Sequence, residues 1–250
     1  MTQKKKFFEK VLNLMYPNNI KCMFCNEELN DNSYNNTCVT CLSTLPFISN
    51  VCYKCGCQML ENQTGTCLKC KRNNFYFTNA RSIFRYEGSP LQVVHNIKYN
   101  NQKYLVESVV KYLLHSFATW NVFPDIVTNV PMFPKKEKER GYNQSTLMAK
   151  MFCEKSNLNF VELCSKIKDT TSQTSLNIKE RFQNIENSFA LKPENKKLIK
   201  NKTILIIDDV ITTGATTNEL SKVLLMNGAS CCYVLTFAHT SLEQVTLENL

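Results

Sequence analysis

The chain is expected to fold as an α/β protein, a parallel sheet flanked by helices, with a small cysteine-rich domain at its amino end. Three observations lead there. Strand-like and helix-like segments alternate from about residue 77 onward. At Ile204–Thr217 four apolar residues run into two carboxylates and a Thr/Gly-rich turn. Nine of the thirteen cysteines fall between Cys22 and Cys70.

The alternation predicts these elements. Ala80–Tyr86 alternates as a strand. Leu91–Lys98 and Tyr104–Ala118 carry apolar residues at three- and four-residue spacing, which predicts helices. Asp125–Val130 is a short buried strand ending at Pro131, and Asn143–Ser156 is helical. Lys202–Ile207 is a near-continuous apolar strand, Thr216–Asn227 its following helix, and Cys231–Ala238 a further buried strand. Strands separated by helices imply a parallel sheet. The 250 residues and 43% hydrophobic content suit one sizeable core and a satellite.

The cysteines form four C-x-x-C pairs: Cys22/Cys25, Cys38/Cys41, Cys52/Cys55 and Cys67/Cys70. Two intervening residues let both thiolates of a tight turn reach one metal ion, and a second turn completes a tetrahedral site. The stretch from Cys41 to Cys70 is too short and polar to build its own core, so metal ligation supplies folding energy. Two structural zinc ions are expected, one per consecutive set of four. Crossed pairing, redox dithiols and accidental cysteines are the alternatives. Four thiolates leave no open position for water, which marks a structural site. Cys57 is expected to be a spare thiol. The predicted domains are an amino-terminal helix at 1–20, a double zinc ribbon at 21–73 and an α/β domain at 77–250.

No apolar run reaches the roughly 20 residues that cross a bilayer. Met1–Tyr16 has neither a continuous apolar stretch nor a small-residue cleavage site. A cytoplasmic protein, not an integral membrane protein, is expected. The formal net charge of +9 favours anionic partners such as phosphates and nucleic acid, although Lys- and Asn-rich composition accounts for part of it.

Open α/β sheets bind ligands at the carboxyl ends of their strands, where Asp208 and Asp209 fall. The loop after them offers backbone N–H groups, hydroxyls and a helix amino terminus, which suit a phosphate. The carboxylates repel phosphate and suit ribose hydroxyls or a hydrated Mg²⁺. A ribose 5-phosphate has both ends.

This segment resembles the phosphoribosyl pyrophosphate (PRPP) signature of type I phosphoribosyltransferases. The resemblance implies that Asp208 and Asp209 contact ribose hydroxyls, and that Thr212, Thr213, Gly214, Ala215 and Thr216 cradle the 5-phosphate. It extends over nearly the whole chain to the ComF competence-protein family, similar to a zinc ribbon joined to a type I phosphoribosyltransferase fold. Val130-Pro131-Met132 resembles that family's pyrophosphate-loop region, and Arg140-Gly141-Tyr142-Asn143-Gln144 its Arg-Gly-aromatic-Asn-Gln motif. Thr170, Gln173, Leu176, Arg181 and Asn184 follow its Thr-x-x-Gln-x-x-Leu…Arg-x-x-Asn pattern, and His95, Lys98 and Tyr99 its His/Lys stretch. Asn129 departs from the small or apolar residue usual before Val-Pro. The resemblance implies Mg²⁺ with PRPP, single-stranded DNA handled during natural transformation, and a competence helicase partner. Arg140, Arg181 and Lys98 are the cations expected at the pyrophosphate. Lys166–Asn187 looks like the mobile lid of such enzymes. The competing reading is a working phosphoribosyltransferase, amidophosphoribosyltransferase-like but without a glutaminase domain, because the first cysteine is Cys22. A zinc-dependent scaffold with a vestigial site is the third.

Overall fold

A computed structural model of the protein describes residues 21–30, 33–170 and 178–240. The helix predicted within 1–20 lies outside the described residues. The chain divides between Leu45 and Pro46 into two units, so the second cysteine set shares a unit with the sheet.

In the first unit a tight turn carries Cys22 and Cys25. The Cys22 N–H donates to Glu27 O at 2.7 Å and the Asn26 N–H to Cys22 O at 2.9 Å. Asn26 takes a φ of +65° there, a conformation that Asn tolerates better than most residues. Cys38 then caps α1 (Val39–Thr44), its sulfur accepting from the Cys41 N–H.

The second unit repeats the pattern about thirty residues later. The Cys52 N–H donates to Cys57 O and the Gly56 N–H to Cys52 O, both at 2.9 Å. Cys67 stands at the N-cap position of α2 (Leu68–Arg72), where its side chain makes no cap bond. The same unit holds β1 (Asn79–Arg85), α3 (Gly88–Tyr99), α4 (Leu105–Ala118), β2 (Ile126–Asn129), α5 (Pro134–Arg140), α6 (Gln144–Ser156), β3 (Cys164–Lys166), α7 (Ile178–Ile185), β4 (Phe189–Leu191), β5 (Thr203–Ile211), α8 (Ala215–Met226) and β6 (Cys231–His239).

Four strands pair in the order β1-β6-β5-β2, all parallel. The expected fold class, a parallel sheet flanked by helices, is the one observed. Central strands buried on both faces need continuous apolar sequence, and Ile204, Leu205, Ile206 and Ile207 are each fully buried. On one face α4 packs on β6 and β1, and α6 on β5 and β2; α8 covers β6 on the other. Ile204, Ile206, Cys232 and Val234 join Cys52, Cys55, Cys57, Phe75 and Phe77 in one apolar cluster. The second cysteine set is therefore part of the sheet's core.

Several elements depart from the expectation, among them β3 and β4, which form a separate antiparallel pair. The basic run after Pro134 is a helix, α5, started by that proline and ended by Gly141 at φ +81°. The strand at 202–207 continues through Asp208 and Asp209 to Ile211, because β6 runs alongside it to His239. The polar stretch Lys166–Asn187, expected as a lid, includes α7, whose Phe182 and Ile185 pack into the core cluster. Residues 171–177 lie outside the described residues. No helix among the described residues is long and apolar enough to cross a membrane.

Candidate functional site

At the carboxyl ends of β5 and β2 the chain diverges. The link after β5 leads through α8 to β6 on one side, while β2 lies on the other. That divergence opens the kind of crevice where α/β sheets take ligands. A cavity of about 760 Å³ sits there. Its walls include Asp208, Asp209, Thr212, Gly214, Ala215, Thr216 and Thr217 from β5 and its loop, Lys98 from α3, Arg140 from α5, and Val130 and Pro131 after β2.

The two acids are held by a built network. Asp208 Oδ1 accepts from the Ser145 hydroxyl at 2.5 Å and from the Asp209 N–H at 2.9 Å. Asp209 Oδ2 accepts from the Gln144 amide at 2.8 Å and pairs with Lys98 Nζ at 2.8 Å. Burial, then the neighbouring Asp209 charge, raises the Asp208 carboxyl toward about 7, against the opposing pull of Ser145 and Lys98. Burial works against the Lys98 charge, but Asp209 and Asp208 outweigh it and raise the Lys98 pKa. Lys166, also on the wall, is lowered to about 8 by burial and then by Lys136.

The segment Arg140–Ser145 explains how this network is delivered. Gly141 ends α5. Tyr142 is buried, and its hydroxyl donates to Ile97 O on α3. Asn143 caps α6 by accepting from the Ser145 N–H at 3.0 Å, while its amide donates to Val130 O. The first two residues of α6, Gln144 and Ser145, then meet the acids. Arg140 donates to Gln144 Oε1 at 2.6 Å and lies over the Tyr99 ring. Asn129, the departure from the family pattern, is buried and donates to Thr146 Oγ1 at 2.9 Å, which fixes β2 to α6.

The loop after β5 is fixed from below. Gly214 stands at φ +84°, and a Cβ there would lie 3.0 Å from the Phe75 ring. Thr212 O accepts from Thr240 Oγ1 at 3.1 Å and from Lys69 Nζ at 3.5 Å. The Tyr76 N–H donates to the Asn218 side chain at 2.6 Å. Lys69 and Phe75 belong to the second cysteine module and the residues just after it. Thr213 is fully buried and turns its hydroxyl to the Ala215 N–H rather than the cavity. Arg181, on α7, is 5% exposed and is not among the cavity-lining residues.

Sequence reasoning did not single out Gln144, Ser145, Lys136 and Lys166 as site residues. For Gln144 the signal was present, since it closes the Arg-Gly-Tyr-Asn-Gln motif. Nothing in the sequence placed Lys166 near α5.

Seven of the eight expected metal-binding cysteines fall into two clusters. Cys22, Cys25, Cys38 and Cys41 bring their sulfurs within 4.8 Å of one another, and so do Cys52, Cys55, Cys57 and Cys67. Metal–sulfur bonds of about 2.3 Å in a tetrahedron place sulfurs about 3.8 Å apart. Cys25–Cys38 at 3.7 Å and Cys55–Cys67 at 3.8 Å match. Each cluster can hold a structural zinc ion. Membership of the second cluster differs from expectation. Cys57, expected to be spare, is fully buried within it, and Cys70 is outside the set.

No protein-family model matches the chain. Competence protein F of Haemophilus influenzae is 26% identical over 218 residues, 82% of this chain and 91% of the relative. DNA utilization protein YhgH of Escherichia coli is 24% identical, over 81% of this chain and 90% of the relative. Competence protein ComFC of Bacillus subtilis is 23% identical, over 76% and 78%. Among solved structures, adenine phosphoribosyl transferase from Trypanosoma brucei aligns with a TM-score of 0.39 and 14% identity, over 60% of this chain and 58% of that one. Glutamine PRPP amidotransferase from Bacillus subtilis aligns at 0.34 with 19% identity, over 51% of this chain and 25% of that one.

Proposed function

Because the chain belongs to the ComF family, we propose that it binds PRPP with Mg²⁺ in the cavity at β5 and acts in the cytoplasm in DNA uptake. The observation that carries this reading is the sharing of one cavity by the Asp208/Asp209 pair and the loop from Thr212 to Thr217. The sugar hydroxyls donate to the acids, and the 5-phosphate accepts from loop N–H groups and hydroxyls at the start of α8. Lys98 and Arg140 face the pyrophosphate side, with Lys136 and Lys166 on the same walls. Carboxylate oxygens are hard ligands, so the Asp208/Asp209 pair would suit a hydrated Mg²⁺ held through its waters. That ion supplies charge neutralisation to the bound pyrophosphate.

Calorimetric titration with PRPP and Mg²⁺ tests the site. Wild type is expected to bind at micromolar to millimolar strength, about −4 to −8 kcal/mol. Asp208→Ala with Asp209→Ala is expected to weaken binding at least tenfold. Equal affinity in both proteins would refute the site.

A second reading is that the site still transfers the ribosyl group. Pyrophosphate departs from the anomeric carbon as an amine or base attacks, and Arg140 and Lys98 stabilise the departing charge. Their placement on the cavity wall favours this reading. Pyrophosphate release from PRPP in the presence of amine, purine or pyrimidine acceptors checks it, and no release with any acceptor rejects it.

Single-stranded DNA is the proposed macromolecular partner, with a competence helicase acting beside it. The net charge of +9 and the basic α5 at the cavity rim support DNA contact. Binding to single-stranded oligonucleotides should weaken steeply as salt rises. Absence of salt-sensitive binding would count against it.

A further inference from the structure

One short corner brings two helices to a single oxygen of Asp209. Arg140 is the last residue of α5 and Gln144 the first of α6. Between them Gly141, at φ +81°, ends α5, and Asn143 caps α6. The corner sets Arg140 and Gln144 against each other although they belong to different helices. Arg140 Nη1 donates to Gln144 Oε1 at 2.6 Å. The other end of the same amide, Nε2, donates to Asp209 Oδ2 at 2.8 Å. Tyr142, inside the corner, donates its hydroxyl to Ile97 O on α3. The next residue of α3, Lys98, reaches the same Asp209 oxygen at 2.8 Å. The order cation, amide, carboxylate fixes which way the amide points. Turned over, Gln144 would set its carbonyl oxygen against Asp209 and its NH₂ against the guanidinium, two repulsive contacts in a residue only 7% exposed. Hydrogen bonds in such a chain polarise one another, so the Arg140 charge strengthens the bond that Gln144 gives to Asp209.

We propose that Gln144 is a positioning residue that carries the influence of Arg140, on the pyrophosphate side of the cavity, to Asp209 on the ribose side. This inference rests on the reading of the cavity as a PRPP site. Arg140 then has two tasks. It meets pyrophosphate directly, and through the Gln144 amide it holds the Asp209 carboxylate in place for the sugar hydroxyls. A ribose 5-phosphate, which carries no pyrophosphate, therefore still senses Arg140, by way of Gln144 rather than by contact. Gln144→Leu removes both bonds of the bridge. Gln144→Glu keeps an acceptor for Arg140 but sets a like charge where Asp209 needs a donor. Neither variant carries the coupling.

The test is a double-mutant cycle on the full chain, read by calorimetric titration with ribose 5-phosphate, with PRPP and Mg²⁺ titrated beside it. Arg140→Met is expected to weaken ribose 5-phosphate about tenfold when Gln144 is present, the order of one charge-assisted hydrogen bond. In the Gln144→Leu background the same change should cost less than about twofold, the remnant of a bare charge screened by salt. Gln144→Glu should suppress the Arg140 effect in the same way, and it stands in if the leucine variant does not fold. Equal losses in both backgrounds, the mark of a field effect or of general loosening, overturn the proposal. So does a ribose 5-phosphate affinity that Arg140→Met leaves unchanged in a protein that binds PRPP; either result leaves the site itself standing. A wild type that binds neither PRPP nor ribose 5-phosphate rejects the site, and the proposal with it. A ligand-free arm reads the bridge in ¹⁵N spectra. The Gln144 side-chain amide protons should exchange slowly with water in wild type, and Arg140→Met should shift them and speed their exchange. Resonances and exchange that Arg140→Met leaves unchanged would overturn the proposal as well.

Discussion

The two cysteine modules use one hydrogen-bond pattern for two purposes. In the first, Cys25 is exposed and Cys38 and Cys41 are half-buried, so a metal ion bound there would be the main source of order. In the second, Cys52, Cys55, Cys57 and Cys67 are all buried in the sheet's apolar cluster. The difference is written in the turn residue. Asn26 tolerates the left-handed conformation where there is room for a side chain. Gly56 takes the same conformation where Ala80 O leaves none. A metal knuckle thus becomes a structural part of an α/β unit when its turn loses a side chain and its cysteines enter a shared core.

The largest expected effect breaks the comparison if it fails. Cys52→Ser with Cys55→Ser removes two metal ligands and leaves hydroxyls in an apolar cluster. It is expected to cost the sheet unit several kcal/mol, about 3–5 or more, and to abolish its cooperative melt or lower it by more than about 10 °C. Cys22→Ser with Cys25→Ser should leave that melt within about 2 °C. Calorimetric melts of the two zinc-loaded variants decide it. Equal losses would mean that the modules do not differ in role.

Next in size is Phe75→Ala. Phe75 is 6% exposed, stacks on Phe77 and meets Gly214. Deleting a buried ring costs about 3–5 kcal/mol. It should also loosen the loop from Thr212 to Thr217, weakening PRPP binding by more than the stability loss alone allows at temperatures where the variant is folded. A chemical-denaturation curve and a PRPP titration on the same preparation measure both. Unchanged affinity would show that the ring supports the core but not the loop.

How much of this was legible in the sequence follows the same division. The sheet strands were legible because central parallel strands must be apolar on both faces. The paired acids were legible because they interrupt such a strand. The helix α5 was missed because seven largely charged residues carry no apolar period; its proline start and glycine stop were the only signals. The distinction between Cys57 and Cys70 was invisible, because C-x-x-C spacing fixes which thiols can share a turn, not which sulfurs cluster. The bracing of Gly214 by Phe75 was equally hidden, since it joins residues 139 positions apart in the chain.

A smaller effect concerns Asp208, whose raised pKa carries a definite sign. A buried carboxyl that folds with a pKa near 7 costs stability above its unfolded value near 4, and the cost grows until about pH 7. Asp208→Asn should therefore stabilise the ligand-free protein by about 1–3 kcal/mol at pH 8 and by little at pH 4. In wild type, PRPP affinity should rise as Asp208 ionises through about pH 7, because sugar hydroxyls donate to the anion. The Asn variant should lose that component. Melts and titrations between pH 5 and pH 8 check both, and a stability gap that widens toward acid would reverse the assignment.

The smallest effect expected is that of Lys69→Ala. Its ammonium reaches Thr212 O at only 3.5 Å, and a half-exposed contact of that length is worth less than about 1 kcal/mol. A few-fold loss of PRPP affinity without a change in melting temperature is the expected signature.

Hydrogen exchange read by mass spectrometry, with and without PRPP and Mg²⁺, tests the central claim most directly. Ligand should slow exchange in peptides covering residues 208–217 and the start of α6, and leave those covering residues 21–30 and 33–44 unchanged. Protection confined to other parts of the chain, with residues 208–217 unaffected, would contradict the account.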